Sequence, residues 1–388
     1  MSPSSIPPVE SSASSAAQRD ASLRLSMVAG IGPRIYGDLI EHFGSAELAL
    51  AASPAELRSV QGVGQKLMRA LVDAKESIDV TPVLEQCKRD NIHVIDRAHE
   101  KYPPLLTKIH DPPGVLFCRG DLQPADQLSI AIVGTRHSTR YGDRVATNLA
   151  RGLAMAGLTI ISGMARGIDA AAHKAALECG GRTIAVLGGG VMNIYPPEHK
   201  FLAESIAANG AVLSEALPNQ PPRSGCFPRR NRIVTGMSLG VIVVEAGDRS
   251  GASISARLAA EQGRDVFAVP GRIDSRMSRG CHKLIRDGAT LVETVGDVLD
   301  HLGPLIEPLK LSGPEVAGEQ THTVHHPAEL KLSDQERKVL NCIETAPTEF
   351  DLIVEKTQLP PARILATVSV LEVRRLIRRL SSTSFARL

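Results

Sequence analysis

Between residues 126 and 302, short apolar runs alternate with stretches of helical periodicity. The runs are Ile130 to Val133, Leu158 to Ile161, Thr183 to Leu187, Ala211 to Leu213, Val241 to Val244, Val266 to Val269 and Thr290 to Val292. Half-exposed strands alternate apolar and polar residues, whereas these are apolar throughout, as strands covered on both faces must be. The pattern predicts an α/β fold built on a doubly wound parallel sheet. Most runs end in small or polar residues: Gly134-Thr135-Arg136 after the first, Ser162-Gly163-Met164-Ala165-Arg166 after the second, Gly188-Gly189-Gly190 after the third, and Glu245 followed by Ser250-Gly251 after the fifth. In an open sheet these carboxyl ends share one edge, and ligands bind in the crevice outside it.

The flanks read differently. Residues 1–19, rich in Ser, Ala and Pro, predict a disordered tail. Residues 20–80 predict a small helical domain with two similar turns, Gly30-Ile31-Gly32 and Gly62-Val63-Gly64, of helix-hairpin-helix (or SAM-like) type. Residues 81–302 hold the sheet domain. Residues 303–332, with Pro304, Pro308, Pro314 and Pro327, predict a linker. From 333 to 388 a capping box, Ser333-Asp334-Gln335-Glu336, opens a small winged helix whose end carries Arg374, Arg375, Arg378, Arg379 and Arg387.

Charge narrows the ligand class. The chain carries a formal charge of only +2, yet residues 216 to 244 contain no Asp or Glu and enclose Phe227-Pro228-Arg229-Arg230-Asn231-Arg232. A local positive field of this kind predicts an anion-binding loop, with nucleic acid as first ligand and small phosphorylated molecules second. Arg136, Arg166, Lys200, Arg223, Arg229, Arg230 and Arg232 supply cations. The backbone at Gly134, Thr135, Ser162, Gly163, Ser250 and Gly251, with the side chain of Asn231, supplies donors to phosphate oxygens. Aromatic residues make up 3% of the chain and Trp is absent, so Phe227 and Tyr195 are the stacking candidates, and contacts are expected mainly to the phosphodiester backbone.

Other chemistries fit less well. The first strand runs into Gly134-Thr135-Arg136-His137 and not G-x-G-x-x-G, no acidic residue ends the second, and no Walker A motif occurs. Ser162 lacks a nucleophile elbow. Glu245 is the best general-base candidate, with bracing of Arg230 or Arg232 as its competing role. Asp169 and His173, four apart, suit helix anchoring better than catalysis. His322, His325 and His326 have no accompanying Cys or acidic cluster, and the six cysteines are scattered without C-x-x-C pairs. No cofactor and no metal are expected. Neither a membrane span nor a secretory signal is visible, which predicts a cytoplasmic protein. Gly240 to Ala246 and the helix after it are a candidate self-association edge on apolar content.

The ordered motifs Gly134-Thr135-Arg136, Ser162 through Asp169, Ala172-His173, Ala185 through Gly188, Tyr195-Pro196, Ser214-Glu215, Phe227-Pro228 with Arg230-Asn231-Arg232, Val244-Glu245-Ala246, Ser250-Gly251 and Ala268 through Gly271 closely resemble the DNA-processing protein A family, DprA/Smf. The resemblance is dense over about 100–300 and looser in the flanks. It implies a Rossmann-like domain, no enzymatic activity, and a mediator that binds incoming single-stranded DNA during natural transformation. It also implies protection of that DNA from nucleases, loading of RecA recombinase onto it, and a homodimer through the Rossmann-like domain. Arg136 would be the principal phosphate ligand, with Lys200 and Arg223 as further DNA-contacting cations. Departures are His282 for the usual Asn, Ala252 for Ser, and Ser381 through Ser384 without the glycine turn of a wing. A nucleotide-binding or phosphoribohydrolase-type enzyme is the alternative, although P-G-G-x-G-T-x-x-E is missing. A nucleotide sensor signalling through the winged helix is a third reading.

Overall fold

The computed structural model describes residues 13–247, 250–311, 338–343 and 348–357, and short pieces between 359 and 387. The chain divides into two units, Met1–Gly313 and Pro314–Leu388.

In the first unit, seven helices precede the sheet: α1 (Ala13–Met27), α2 (Pro33–Phe43), α3 (Ala46–Ala51), α4 (Pro54–Ser59), α5 (Gln65–Val72), α6 (Ala74–Ser77) and α7 (Thr81–Arg89). Local chemistry sets their ends. Ser45 caps α3, and Ser53 with Glu56 forms a capping box on α4. Gly30 (φ +98°) and Gly62 (φ +85°) make the two expected turns, and each glycine faces the apolar side chain, Leu67 or Ile35, that follows the other turn. The hairpins therefore pack against one another over Leu25, Leu39, Leu57 and Leu71, all essentially buried. Helix α1 starts at Ala13, inside the segment expected to be a tail, because Ala21, Leu23 and Leu25 are held by tertiary packing that composition does not show.

Nine strands follow: β1 (Ile92–Asp96), β2 (Val115–Gly120), β3 (Ser129–Val133), β4 (Thr159–Ser162), β5 (Thr183–Val186), β6 (Ala211–Ser214), β7 (Gly240–Val243), β8 (Asp265–Ala268) and β9 (Thr290–Leu291). They form one sheet in the order β1-β2-β6-β5-β4-β3-β7-β8-β9. The seven strands from β3 onward are the seven expected runs, and all their mutual pairings are parallel. Strands β1 and β2 were not anticipated, and they extend the β6 edge antiparallel.

Short α8 (Pro104–Thr107) precedes β2. The remaining helices are α9 (Arg140–Met155), α10 (Ile168–Glu178), α11 (Lys200–Asn209), α12 (Cys226–Gly236), α13 (Gly251–Glu261), α14 (Arg279–Arg286) and α15 (Val295–Leu311). Alternate residues of β3 enter different cores. Ala131 and Val133 meet Ile233, Val234 and Ala256 of α12 and α13, while Ile130 and Ile132 meet Leu149, Leu153 and Ala172 of α9 and α10. This two-faced burial explains the unbroken apolar runs. Two expectations change here. Strand β7 lies between β3 and β8, so Gly240 to Val243 is interior and offers no association edge. Helix α15 continues through Pro304 and Pro308 to Leu311, into the expected linker. The rest of that linker, with His322, His325 and His326, lies outside the described residues, as does the 333–336 capping box.

In the second unit, β10 (Thr348–Glu349), β11 (Ile377–Arg379) and β12 (Ser384–Arg387) form an antiparallel sheet in the order β10-β12-β11. With α16 (Phe350–Thr357) and the buried residues Val339, Leu340, Ile343, Ile353, Leu371 and Phe385, it builds the small winged helix expected there.

A candidate nucleic-acid interface at the carboxyl edge

The chain runs from β3 through β4 and β5 to β6 on one side of the sheet, then returns to place β7 against the other side of β3. This reversal opens the crevice at the carboxyl end of β3. Residues 134–139 leave β3 there, with Thr135 N–H donating to the Glu245 carbonyl at 2.8 Å. A Cβ on Gly134 would overlap Ile168, and one on Gly167 (φ +72°) would overlap the Thr135 carbonyl. The two glycines let the 134–136 loop and the turn before α10 meet backbone to backbone, and Arg136 is left exposed at the tip.

Arg136 lies over the face of Phe227, its Cζ 5.2 Å from the ring centroid. The Phe227 ring is in turn 5.7 Å from that of Tyr195, which is 41% exposed. Behind them is a cleft of about 580 Å³, bounded by Gly134, Thr135 and Gly163 on one side and by Arg230, Asn231, Ser250 and Gly251 on the other. Two helices begin at its wall. Helix α12 has no side-chain cap, whereas Ser250 Oγ accepts from Ser253 N–H at the start of α13. The Asn231 amide reaches the Gly251 carbonyl at 3.4 Å and ties the two helices together. Helix starts, an exposed cation and the Phe227 ring thus face one cavity, with Tyr195 beside that ring, an arrangement suited to phosphate and base.

The segment 227–232, expected to be a loop, is the first half of α12. Helical periodicity sends its arginines in different directions. Arg229 is exposed and lines a smaller pocket of about 170 Å³ shared with Gly32 and Pro33. Arg230 is 5% exposed, and its Nη1 donates to the Val186 carbonyl at 2.6 Å. It lies so close to Gly163 that any Cβ there would overlap the guanidinium. Burial pushes its pKa down to about 10, opposed by the charge of Asp169. Asp169 accepts from the N–H groups of Gly163 and Ala165, and burial raises its own pKa. Arg232, 4% exposed, pairs with Glu215 and with Asp111 at 3.3 Å. Arg230 and Arg232 are therefore braces of the edge.

Glu245 braces neither of them and is occupied elsewhere. It is 2% exposed, and its two carboxylate oxygens accept from the N–H and the hydroxyl of Thr139, holding the start of α9. Asp169 and His173 do not pair: His173 Nδ1 meets Thr183 Oγ1 at 2.7 Å, and burial pushes the imidazole pKa down to about 3. The Ser162 hydroxyl is buried and donates to the Ile132 carbonyl at 2.6 Å, out of reach of any ligand. Arg166 pairs with Glu198 at 2.5 Å outside the cleft, and Lys200 and Arg223 are exposed but do not line it. Sequence reasoning missed Met277, which lines the cleft because Ala246 N–H donates to its carbonyl at 2.8 Å. Only folding brings that distant loop in. Among the described residues no cluster of His, Cys, Asp and Glu is placed to hold a metal, and no helix is long and apolar enough to cross a membrane.

Fold and site define a Rossmann-like protein whose sheet edge presents a cleft with an exposed arginine over an aromatic ring at its mouth, and neither a dinucleotide nor a P-loop motif. Residues 93–303 match the family model of DNA recombination-mediator protein A, 324–382 that of the DprA winged helix domain, and 16–71 that of the DprA-like N-terminal HHH domain. The chain belongs to the DNA-processing protein A (DprA/Smf) family. Protein Smf of Synechocystis sp. is 36% identical over 375 residues, covering 90% of this chain and 94% of that one. The X-ray structure of DprA from Streptococcus pneumoniae superposes with a TM-score of 0.66 at 34% identity, over 72% of this chain and 97% of that one. The DprA of Helicobacter pylori, solved for its single-stranded DNA binding mode, gives 0.50 at 33% identity, over 55% and 96%.

Proposed function

We propose that this protein binds single-stranded DNA along the carboxyl edge of its sheet, shields it from nucleases, and loads RecA recombinase onto it as a homodimer formed through the Rossmann-like domain. The observation that carries the reading is Arg136, exposed at the tip of its loop with its guanidinium over Phe227, at the mouth of a cleft walled by two helix starts. A cation beside a ring matches the two repeating features of a single strand, phosphate and base, and neither demands a particular sequence. Membership in a family of recombination mediators supports the same reading, as does the single-stranded DNA binding mode of the H. pylori relative. The enzyme alternative is weakened because Glu245, its best acid–base candidate, is buried and fully engaged by Thr139.

The test is a titration of fluorescent oligo-dT at two salt concentrations, with Arg136→Ala beside the wild type. Binding that weakens steeply with salt, and that Arg136→Ala impairs, is expected. Equal binding by the two proteins would remove the proposed site. Recombinase loading is read separately, as faster RecA assembly on strands already coated with single-strand-binding protein. Release of free base from a nucleoside monophosphate would favour the enzyme.

A further inference from the structure

Arg136 lines a second concavity as well as the cleft. A groove of about 450 Å³ runs between α9 and α10, on the far side of the 134–139 loop. Gly167, Ala170 and Ala171 contribute to its floor, so little side chain stands between the groove and the helix backbone. Arg166 and Lys174 supply exposed positive charge, and no Phe, Tyr or Trp lines it. Its two carboxylates are already engaged: Asp143 accepts from the Ser138 hydroxyl at 2.5 Å and Glu178 pairs with Arg151 at 3.0 Å. Among the described residues the side chain of Lys174 has no hydrogen-bond or ion-pair partner. Arg166 is held by Glu198 at 2.5 Å, a pair about half exposed on both sides.

We propose that this groove continues the single-strand path. The phosphodiester backbone passes over Arg136 from the cleft into the groove, where Lys174 and Arg166 bind phosphates and the bases face solvent. The inference rests on the reading of the cleft as a single-stranded DNA site. Small floor residues admit the backbone closely, cations on the rim neutralise it, and the absence of Phe, Tyr and Trp separates this stretch from the cleft, where the Phe227 ring is available for stacking. Glu198 is the competitor that phosphate must displace from Arg166.

The experiment compares two oligo-dT lengths on the full chain, about 6 nucleotides to occupy the cleft and about 20 to reach the groove. Lys174→Ala is expected to weaken the long oligonucleotide about three- to tenfold and to reduce its salt slope by about 0.7, with the short one changed less than twofold. Glu198→Gln is expected to tighten the long oligonucleotide about two- to threefold, a gain that misfolding cannot imitate. Arg136→Ala weakens both lengths. If both groove variants bind both lengths like wild type, or shift both lengths equally, the groove is not on the path. If wild type binds neither length, the cleft reading itself fails and the groove proposal falls with it.

Discussion

Helix α12 and the 134–139 loop both bring arginine to the same sheet edge, and they use it in opposite ways. The helix packs against α13, α8 and β5, so Arg230 and Arg232 are carried under the edge, to the Val186 carbonyl, Glu215 and Asp111. The loop has glycine contacts at its base, and Arg136 is exposed at its tip over Phe227. A buried guanidinium has exchanged its water for protein partners and is costly to move, while an exposed one keeps its charge available for a ligand. The lesson concerns arginine-rich segments generally: their charge attracts attention, but burial decides which cations reach a ligand.

The strongest way to break this comparison is to remove the buried charge. Arg230→Ala should lower unfolding stability by about 3–5 kcal/mol in urea titration, because the Val186 carbonyl loses its donor and the buried Asp169 its nearby positive charge. A loss below about 1 kcal/mol would mean that Arg230 braces nothing. Arg136→Ala should do the reverse, leaving stability within about 0.5 kcal/mol while weakening oligo-dT by about 1.5–3 kcal/mol with a shallower salt dependence. Phe227→Ala should weaken binding by about 1–3 kcal/mol through lost stacking. Combined with Arg136→Ala, it should fall short of additivity by about 0.5–1 kcal/mol, since each side chain holds the other in place; full additivity would show that the ring and the cation act separately.

A further effect is read through pH. His173 is buried, and its pKa falls from 6.5 in the unfolded chain to about 3 in the fold, so the unfolded state binds more protons between these values. Stability from this group is complete above about pH 6.5 and is lost on acidification, by at most about 1.4 kcal/mol per pH unit. Asp169, raised by burial, tilts the other way, because its folded form holds the proton longer and loses stability as pH rises past the unfolded value. The difference between wild type and His173→Asn in urea midpoints from pH 7 to pH 5 isolates the histidine. The variant should show the flatter acid limb.

Much of the fold was legible in the sequence. Burial on both faces leaves an apolar run without alternation, and β3 to β9 each carry one. Strand β1 escaped notice because His93 and Asp96 interrupt its apolar run, whereas β2 carries a readable run, Val115 to Cys118, after the turn signal Pro112-Pro113-Gly114. The 227–232 segment was misread as a loop because four polar residues mask the helical spacing of Ile233, Val234 and Met237 behind them. The candidate site divides in the same way: Gly134, Thr135, Arg136, Gly163, Phe227, Asn231, Ser250 and Gly251 meet at the cleft, while Ser162, Arg166, Lys200, Arg223 and Arg232 do not line it.

Local pattern alone determined the parallel sheet, its glycine-ended carboxyl edge and the family, because periodicity and ordered motifs are properties of neighbours along the chain. Which arginines are exposed and which are buried was decided only by the tertiary structure. A side chain's solvent exposure depends on what packs over it, and the groups that bury Arg230 and Arg232 come from β5, the Ser214-Glu215 turn and the loop at Asp111, distant in sequence and adjacent only after folding.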